Sequence, residues 1–118
     1  MNPNNKSAIG ITVDEIELRI VKEFLDIIML IELQEHKELS GYDLALLQNQ
    51  KFKISLSPGT VYATLYSMER RGLILGQVNG KKTTFVLTPK GEDTITNLTK
   101  NTKSVKEFLN NIFPTLNL

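Results

Sequence analysis

Ser57-Pro58-Gly59-Thr60-Val61-Tyr62-Ala63-Thr64-Leu65-Tyr66-Ser67-Met68-Glu69-Arg70-Arg71-Gly72 is the stretch on which the fold turns. Ser57 offers a side-chain oxygen to the free amides of a first helical turn, and Pro58 stands where a missing N–H costs nothing. Gly72 supplies the stop. A helix over roughly residues 58 to 71 follows. Within it Val61, Leu65 and Met68 recur at spacings of 4 and 3, the mark of one apolar face. With that face against a core, Thr60, Thr64, Ser67 and Arg71 lie on the opposite stripe. Small hydroxyls ending in an arginine suit a DNA major groove. Hydroxyls bond phosphates or base edges, a threonine methyl meets a thymine methyl, and arginine pairs with guanine or phosphate. An ordinary amphipathic helix with a polar outer face carries the same pattern.

Downstream, residues 73 to 78 and 83 to 87 are short β-prone runs on either side of Asn79-Gly80, a dipeptide suited to the positive φ angles of a tight turn. They read as a two-stranded hairpin with Lys81 and Lys82 at its tip. Those lysines serve either as contacts to a phosphate or as protection of an exposed strand edge. Thr88-Pro89 opens a last helix. Along it Ile95, Leu98, Thr102, Val105, Leu109 and Ile112 follow at spacings of 3, 4, 3, 4 and 3, until Pro114 closes it. A seam of that kind, with Phe108 beside it, calls for a partner, and self-association is preferred over folding back on the first helix.

Upstream, Thr12 and Glu15 have the form of a capping box, and Ile16, Ile20, Phe24, Ile27 and Ile31 recur with helical period. One helix is expected over residues 13 to 36, apolar nearly all round in its second half and therefore central to the core. Ser40 and Asp43 form a second cap-like pair for a short helix ending near Gln50. Lys51 and Lys53 lie just before the helix at 58 and suit phosphates better than bases, because an ammonium lacks a planar fork. The order helix, helix, helix, hairpin, helix is the layout of a winged helix-turn-helix. The fold class expected is mainly α with a small β-hairpin. Residues 1–11 form a flexible start, 12–91 the DNA-binding domain and 92–118 a dimerisation helix.

The 118 residues suit one domain, and 41% hydrophobic with 23% charged residues is a globular balance. There is no cysteine and a single histidine, His36, which removes disulfide scaffolds, thiolate metal sites and most nucleophilic chemistry. No enzyme and no cofactor are expected. His36 and Glu32 have metal-compatible spacing, but two ligands do not make a site, and no metal is expected; a solvated helix end accounts for both. Asp14, Glu15 and Glu17 suit a helix start, where the dipole favours acidic groups. The longest apolar run, residues 24 to 33, is too short and too charged to span a bilayer, and no signal segment opens the chain. A cytoplasmic location with no membrane partner is expected.

The net charge of +1 hides an asymmetry. Residues 1 to 50 hold nine acidic and four basic side chains, whereas residues 51 to 90 hold seven basic ones against Glu69 alone. Such clustering is the footprint of a phosphate-binding surface, unless the charges scatter on folding.

Gly41-Tyr42-Asp43-Leu44, the run from Leu56 through Ile74, and Phe85-Val86-Leu87-Thr88-Pro89-Lys90-Gly91 together resemble the PadR family of transcriptional regulators, over roughly residues 20 to 92. The resemblance implies a dimeric DNA-binding repressor with the third helix in the major groove and the hairpin as wing. It also places Ser57, Thr60, Tyr62, Thr64 and Tyr66 in the recognition segment. Many members have proline where Ala63 stands and tyrosine where Phe85 stands, so no wing hydroxyl is carried over to position 85. The short tail resembles members with one carboxy-terminal helix. Family members often respond to small flat or apolar compounds near the dimer interface, yet no constellation here names an effector. Phe24, Phe108 and Phe113 could line such a cavity and are assigned instead to plain core packing. A winged-helix module that binds an acidic protein rather than DNA is the rival expectation.

Overall fold

The computed structural model describes residues 10–115; residues 1–9 of the expected flexible start at 1–11, and the last three residues, lie outside that range. Helix α1, Val13–Glu23, begins where Thr12 accepts the Glu15 N–H at 3.2 Å. The single helix expected over residues 13 to 36 is interrupted at Phe24, whose φ of −103° and ψ of 21° leave the helical region. Beyond it α2 runs Leu25–His36, with Asp26 Oδ1 taking the Ile27 N–H at 2.8 Å and so serving an amide left without a helical carbonyl. The break reorients the apolar pattern. Val21, Leu25, Met29, Leu30 and Leu33 are buried, whereas Ile20, Phe24 and Ile31 of the anticipated stripe are exposed.

Lys37 turns the chain with a φ of 66°, and Glu38–Ser40 form β1, a strand with no signature in the sequence. Helix α3, Gly41–Phe52, then starts on a complete capping box: Ser40 Oγ accepts the Asp43 N–H at 3.1 Å and Asp43 Oδ2 accepts the Ser40 N–H at 3.0 Å. Helix α4, Pro58–Arg70, starts on Ser57, which accepts the Thr60 N–H at 3.2 Å, and stops before Gly72 at a φ of 75°. Strands β2, Ile74–Asn79, and β3, Lys82–Leu87, form the hairpin. Their register pairs Asn79 with Lys82, so the turn is Gly80-Lys81 rather than Asn79-Gly80. Gly80, at a φ of 65°, takes the one position where a side chain would be strained. The sheet has three strands, not two, in the order β1-β3-β2, because β1 pairs antiparallel with β3.

The expected last helix is also two. Helix α5, Pro89–Lys100, is capped by Thr88; Asn101 breaks it at a φ of −110°, and α6 continues over Thr102–Ile112. Three side chains near the break bond back to helix carbonyls: Thr99 Oγ1 to Ile95 O, Asn101 Nδ2 to Asn97 O and Thr102 Oγ1 to Thr99 O, all within 3.0 Å. Such back-bonding competes with the backbone ladder and bends helices.

The core gathers Leu25, Met29, Leu30 and Leu33 of α2, Leu44 of α3, Val61, Leu65 and Met68 of α4, Ile74, Phe85 and Ile95. The apolar face foreseen for α4 is therefore the one buried. Leu65→Ala should lower the unfolding free energy by about 2–5 kcal/mol in a urea titration, since its side chain is fully enclosed.

Candidate nucleic-acid interface

Helix α4 shows solvent a different stripe from the one anticipated. Its exposed positions are Pro58, Gly59, Tyr62, Ala63, Tyr66 and Arg70, while Thr60, Thr64 and Ser67 are half-buried. Ser57 is exposed, but its hydroxyl is shared with Thr60 Oγ1 at 2.9 Å, and Thr64 Oγ1 donates to Thr60 O at 2.9 Å. Thr64 and Ser67 line a shallow depression with Lys22 and Asp26 at the α1–α2 joint. Arg71 is exposed yet held sideways, its Nη1 lying 3.2 Å from Asp26 Oδ2. The 3.6-residue period located the inner face correctly. It could not tell which outer flank is covered by the neighbouring helix. Arg70, absent from the anticipated set, continues the Tyr62–Tyr66 spacing of four and was detectable on that ground.

The tyrosines line a groove of about 450 Å3 between α4 and the hairpin, together with Tyr42, Lys81 and Lys82. The rings of Tyr62 and Tyr66 are 6.2 Å apart and tilted by 35°. Tyr62 lies against Gly41, where a Cβ would come within 2.7 Å of the ring, so the bare backbone at the start of α3 lets α4 approach. Across the groove Glu69 accepts the Gly76 N–H at 2.8 Å and ties α4 to the hairpin.

The cations expected to face phosphate fall into two groups. Lys51 donates to the buried carboxylate of Glu32 and lies 3.7 Å from Glu35, and Lys82 lies 3.8 Å from Asp43. The hydrogen bond to Glu32 raises the Lys51 pKa above its usual value. The Asp43 pKa is lowered, chiefly by the Ser40 amide and hydroxyl, so this capping carboxylate stays ionised below the ordinary carboxylate range. Among the described residues, Lys53, Arg70 and Lys81 have no carboxylate within ion-pair distance. Lys90 donates to the Arg71 carbonyl at 2.8 Å and closes the end of α4.

Glu32 is 2% exposed, which corrects its assignment to a solvated helix end. Its carboxylate sits 3.6 Å from His36 Nε2, and Glu35 joins the cluster. Lys51 supplies the positive charge that this pair of carboxylates needs.

The anticipated dimer seam divides at Asn101. Ile95 is 1% exposed and belongs to the chain's own core, with Leu98 partly buried against it. Thr102, Val105, Phe108, Leu109 and Ile112 all lie on α6, which buries none of its residues. Phe24, Phe108 and Phe113 are 45%, 64% and 55% exposed, so none packs in the core as expected. Phe24 stands at the break between α1 and α2, while Phe108 lies on α6 and Phe113 ends it, a helix that buries none of its residues.

No protein-family model matches the sequence, and no curated protein matches it. Solved structures do. A PadR-like transcriptional regulator from Bacillus cereus superposes with a TM-score of 0.67 at 24% identity, over 83% of this chain and 99% of that one. The fold is that of PadR-family regulators. A PadR family transcriptional regulator from Eggerthella lenta reaches a TM-score of 0.71 at 18% identity, over 88% of this chain and 94% of that one. Bacillus subtilis PadR, solved in complex with operator DNA, matches with a TM-score of 0.52 at 22% identity. That match covers 62% of this chain and 45% of the longer regulator. The likeness accounts for the mainly helical winged helix-turn-helix fold. Among the described residues, no helix is long and apolar enough to cross a membrane.

Proposed function

We propose that this chain is a PadR-family transcriptional regulator that binds duplex DNA as a homodimer and represses by occupying an inverted repeat. The observation that carries the reading is the exposed stripe of α4, Gly59, Tyr62, Ala63, Tyr66 and Arg70, set beside a wing tipped by Lys81 and Lys82. An exposed helix enters a major groove, and flanking lysines neutralise phosphates on either side. The operator complex of the Bacillus subtilis relative supports DNA as the ligand of this architecture. Dimerisation is supported by α6, whose Val105, Phe108, Leu109 and Ile112 are exposed together. A two-fold axis through such a seam places the two α4 helices about one DNA turn apart, ~34 Å.

The test is an anisotropy titration with a pool of random short duplexes at low and near-physiological salt, followed by sequencing of the retained fraction. Enrichment of an inverted repeat with half-sites one turn apart is the expected result. Weak binding without enrichment that vanishes with salt would overturn sequence-specific regulation and leave the basic face to an acidic protein partner. Lys81→Ala should weaken binding to every sequence alike and reduce the slope of log K against log salt by about 0.9, as loss of one phosphate contact requires.

A further inference from the structure

Every ion pair joining distant parts of the described chain runs from a carboxylate in the acidic first half to a cation in the basic segment. Glu32 and Glu35 hold Lys51, Asp26 holds Arg71 at 3.2 Å, and Asp43 holds Lys82 at 3.8 Å. Three of the seven cations between residues 51 and 90 are thereby occupied within the protein. Two of the pairs are solvent-facing and border α4: Arg71 ends the helix, and Lys82 lines the groove along it. A carboxylate at this distance and a DNA phosphate are alternative partners for one cation, since both are anionic oxygen acceptors.

We infer that Asp26 and Asp43 are intramolecular competitors of the DNA backbone, setting how tightly the protein holds any duplex without reading its sequence. The inference rests on the proposal that DNA is the ligand. Attraction to arbitrary duplex comes from neutralising phosphates. A cation already paired must leave its carboxylate to contribute, and the bared carboxylate takes up a counterion in its turn. Both effects weaken phosphate binding and flatten its salt dependence. Base contacts are untouched, so operator and random duplex are weakened by the same factor. The acidic half of the chain thus limits the basic half.

The experiment compares the full chain with Asp26→Asn, Asp43→Asn and the double variant, on operator and on random duplex, across a salt series. Asparagine keeps an oxygen for the Ile27 amide at position 26 and for the Ser40 amide at position 43, so both helix starts are preserved. Asp14→Asn makes the same change in net charge on α1 without touching an ion pair and sets the baseline. Each of the two substitutions should tighten both duplexes by roughly twofold to fivefold beyond that baseline, the range set by exposed ion pairs. Each should also steepen the salt slope by up to about 0.9. The gain from Asp26→Asn should vanish in an Arg71→Ala background, and that from Asp43→Asn in a Lys82→Ala background. Gains equal to the baseline, or surviving removal of the cation, overturn the inference while leaving DNA binding intact. If neither the unaltered chain nor any variant binds duplex at low salt, DNA itself is the wrong ligand and both conclusions fall.

Discussion

A chain carrying Phe108→Asp and Ile112→Asp should sediment as a monomer, keep its helical circular dichroism, and bind an inverted repeat at least about a hundredfold more weakly than the unaltered chain. The size of the effect follows from where these residues stand. Phe108 is 64% exposed and Ile112 52%, on a helix that buries nothing against its own chain, so charging them leaves the core unchanged. In a dimer each would be covered, and an apolar side chain of that kind contributes about 1.5–3 kcal/mol when taken out of water. The two substitutions in both copies replace that gain with four carboxylates facing one another across a two-fold axis. With the seam gone, the second half-site is no longer tethered to the first, and linked binding sites lose about 10²–10⁴ in avidity when they are separated. A variant that remained dimeric would show that another surface joins the copies. Ile20, Phe24 and Ile31, exposed apolar side chains along α1, α2 and the break between them, are the alternative to test.

Gly91→Ala should destabilise the fold by about 3 kcal/mol or more, seen as a lower urea midpoint with unchanged slope. Gly91 is buried in the first turn of α5, and a Cβ there would collide with the carbonyl oxygen of Leu73. The same carbonyl accepts the Thr88 N–H at 3.1 Å, so the start of α5 is hung on the strand entrance just after α4. The colliding atom belongs to the backbone rather than to a flexible side-chain end, and relief would require α5 to lift off the core, where its Ile95 is packed. Gly59→Ala is the control. Its surroundings are open, the nearest atom outside its own neighbours being Ser57 Oγ at 4.0 Å, and an alanine suits a first turn. Equal stability of Gly91→Ala and the unaltered chain would mean that this close approach is relieved by a small backbone shift.

Much of the architecture was legible in the residues because its determinants are local. Thr12, Ser40, Ser57 and Thr88 each accept an amide three residues on, as their positions before apolar periodic runs required. Val61, Leu65 and Met68 face the core of α4 as their spacing implied. The hairpin formed where its glycine stood, one residue out of the anticipated register. The helix breaks at Phe24 and Asn101 were not legible. An apolar pattern continues through each, and the bonds that Asp26 makes to the Ile27 amide and Asn101 to the Asn97 carbonyl beside the breaks are seen only in the folded chain.

By itself, then, the sequence determined where α1, α3, α4 and α5 begin, which side of α4 is apolar, and that a basic segment follows an acidic one. Those properties reside in neighbours within a turn or two, or in simple counts. Tertiary structure decided the rest. Strand β1 exists because β3 offers it a free edge, with Leu39 opposite Phe85 across 46 positions of chain. The outward stripe of α4 is Tyr62, Tyr66 and Arg70 because α1 and α2 cover the flank bearing Thr64 and Ser67. Arg71 and Lys82 meet Asp26 and Asp43 only after the chain has closed on itself. The physical reason is range. Helical period and capping act over three or four residues, whereas burial, strand pairing and the choice of partner for a charge depend on which distant segments the folded core brings together.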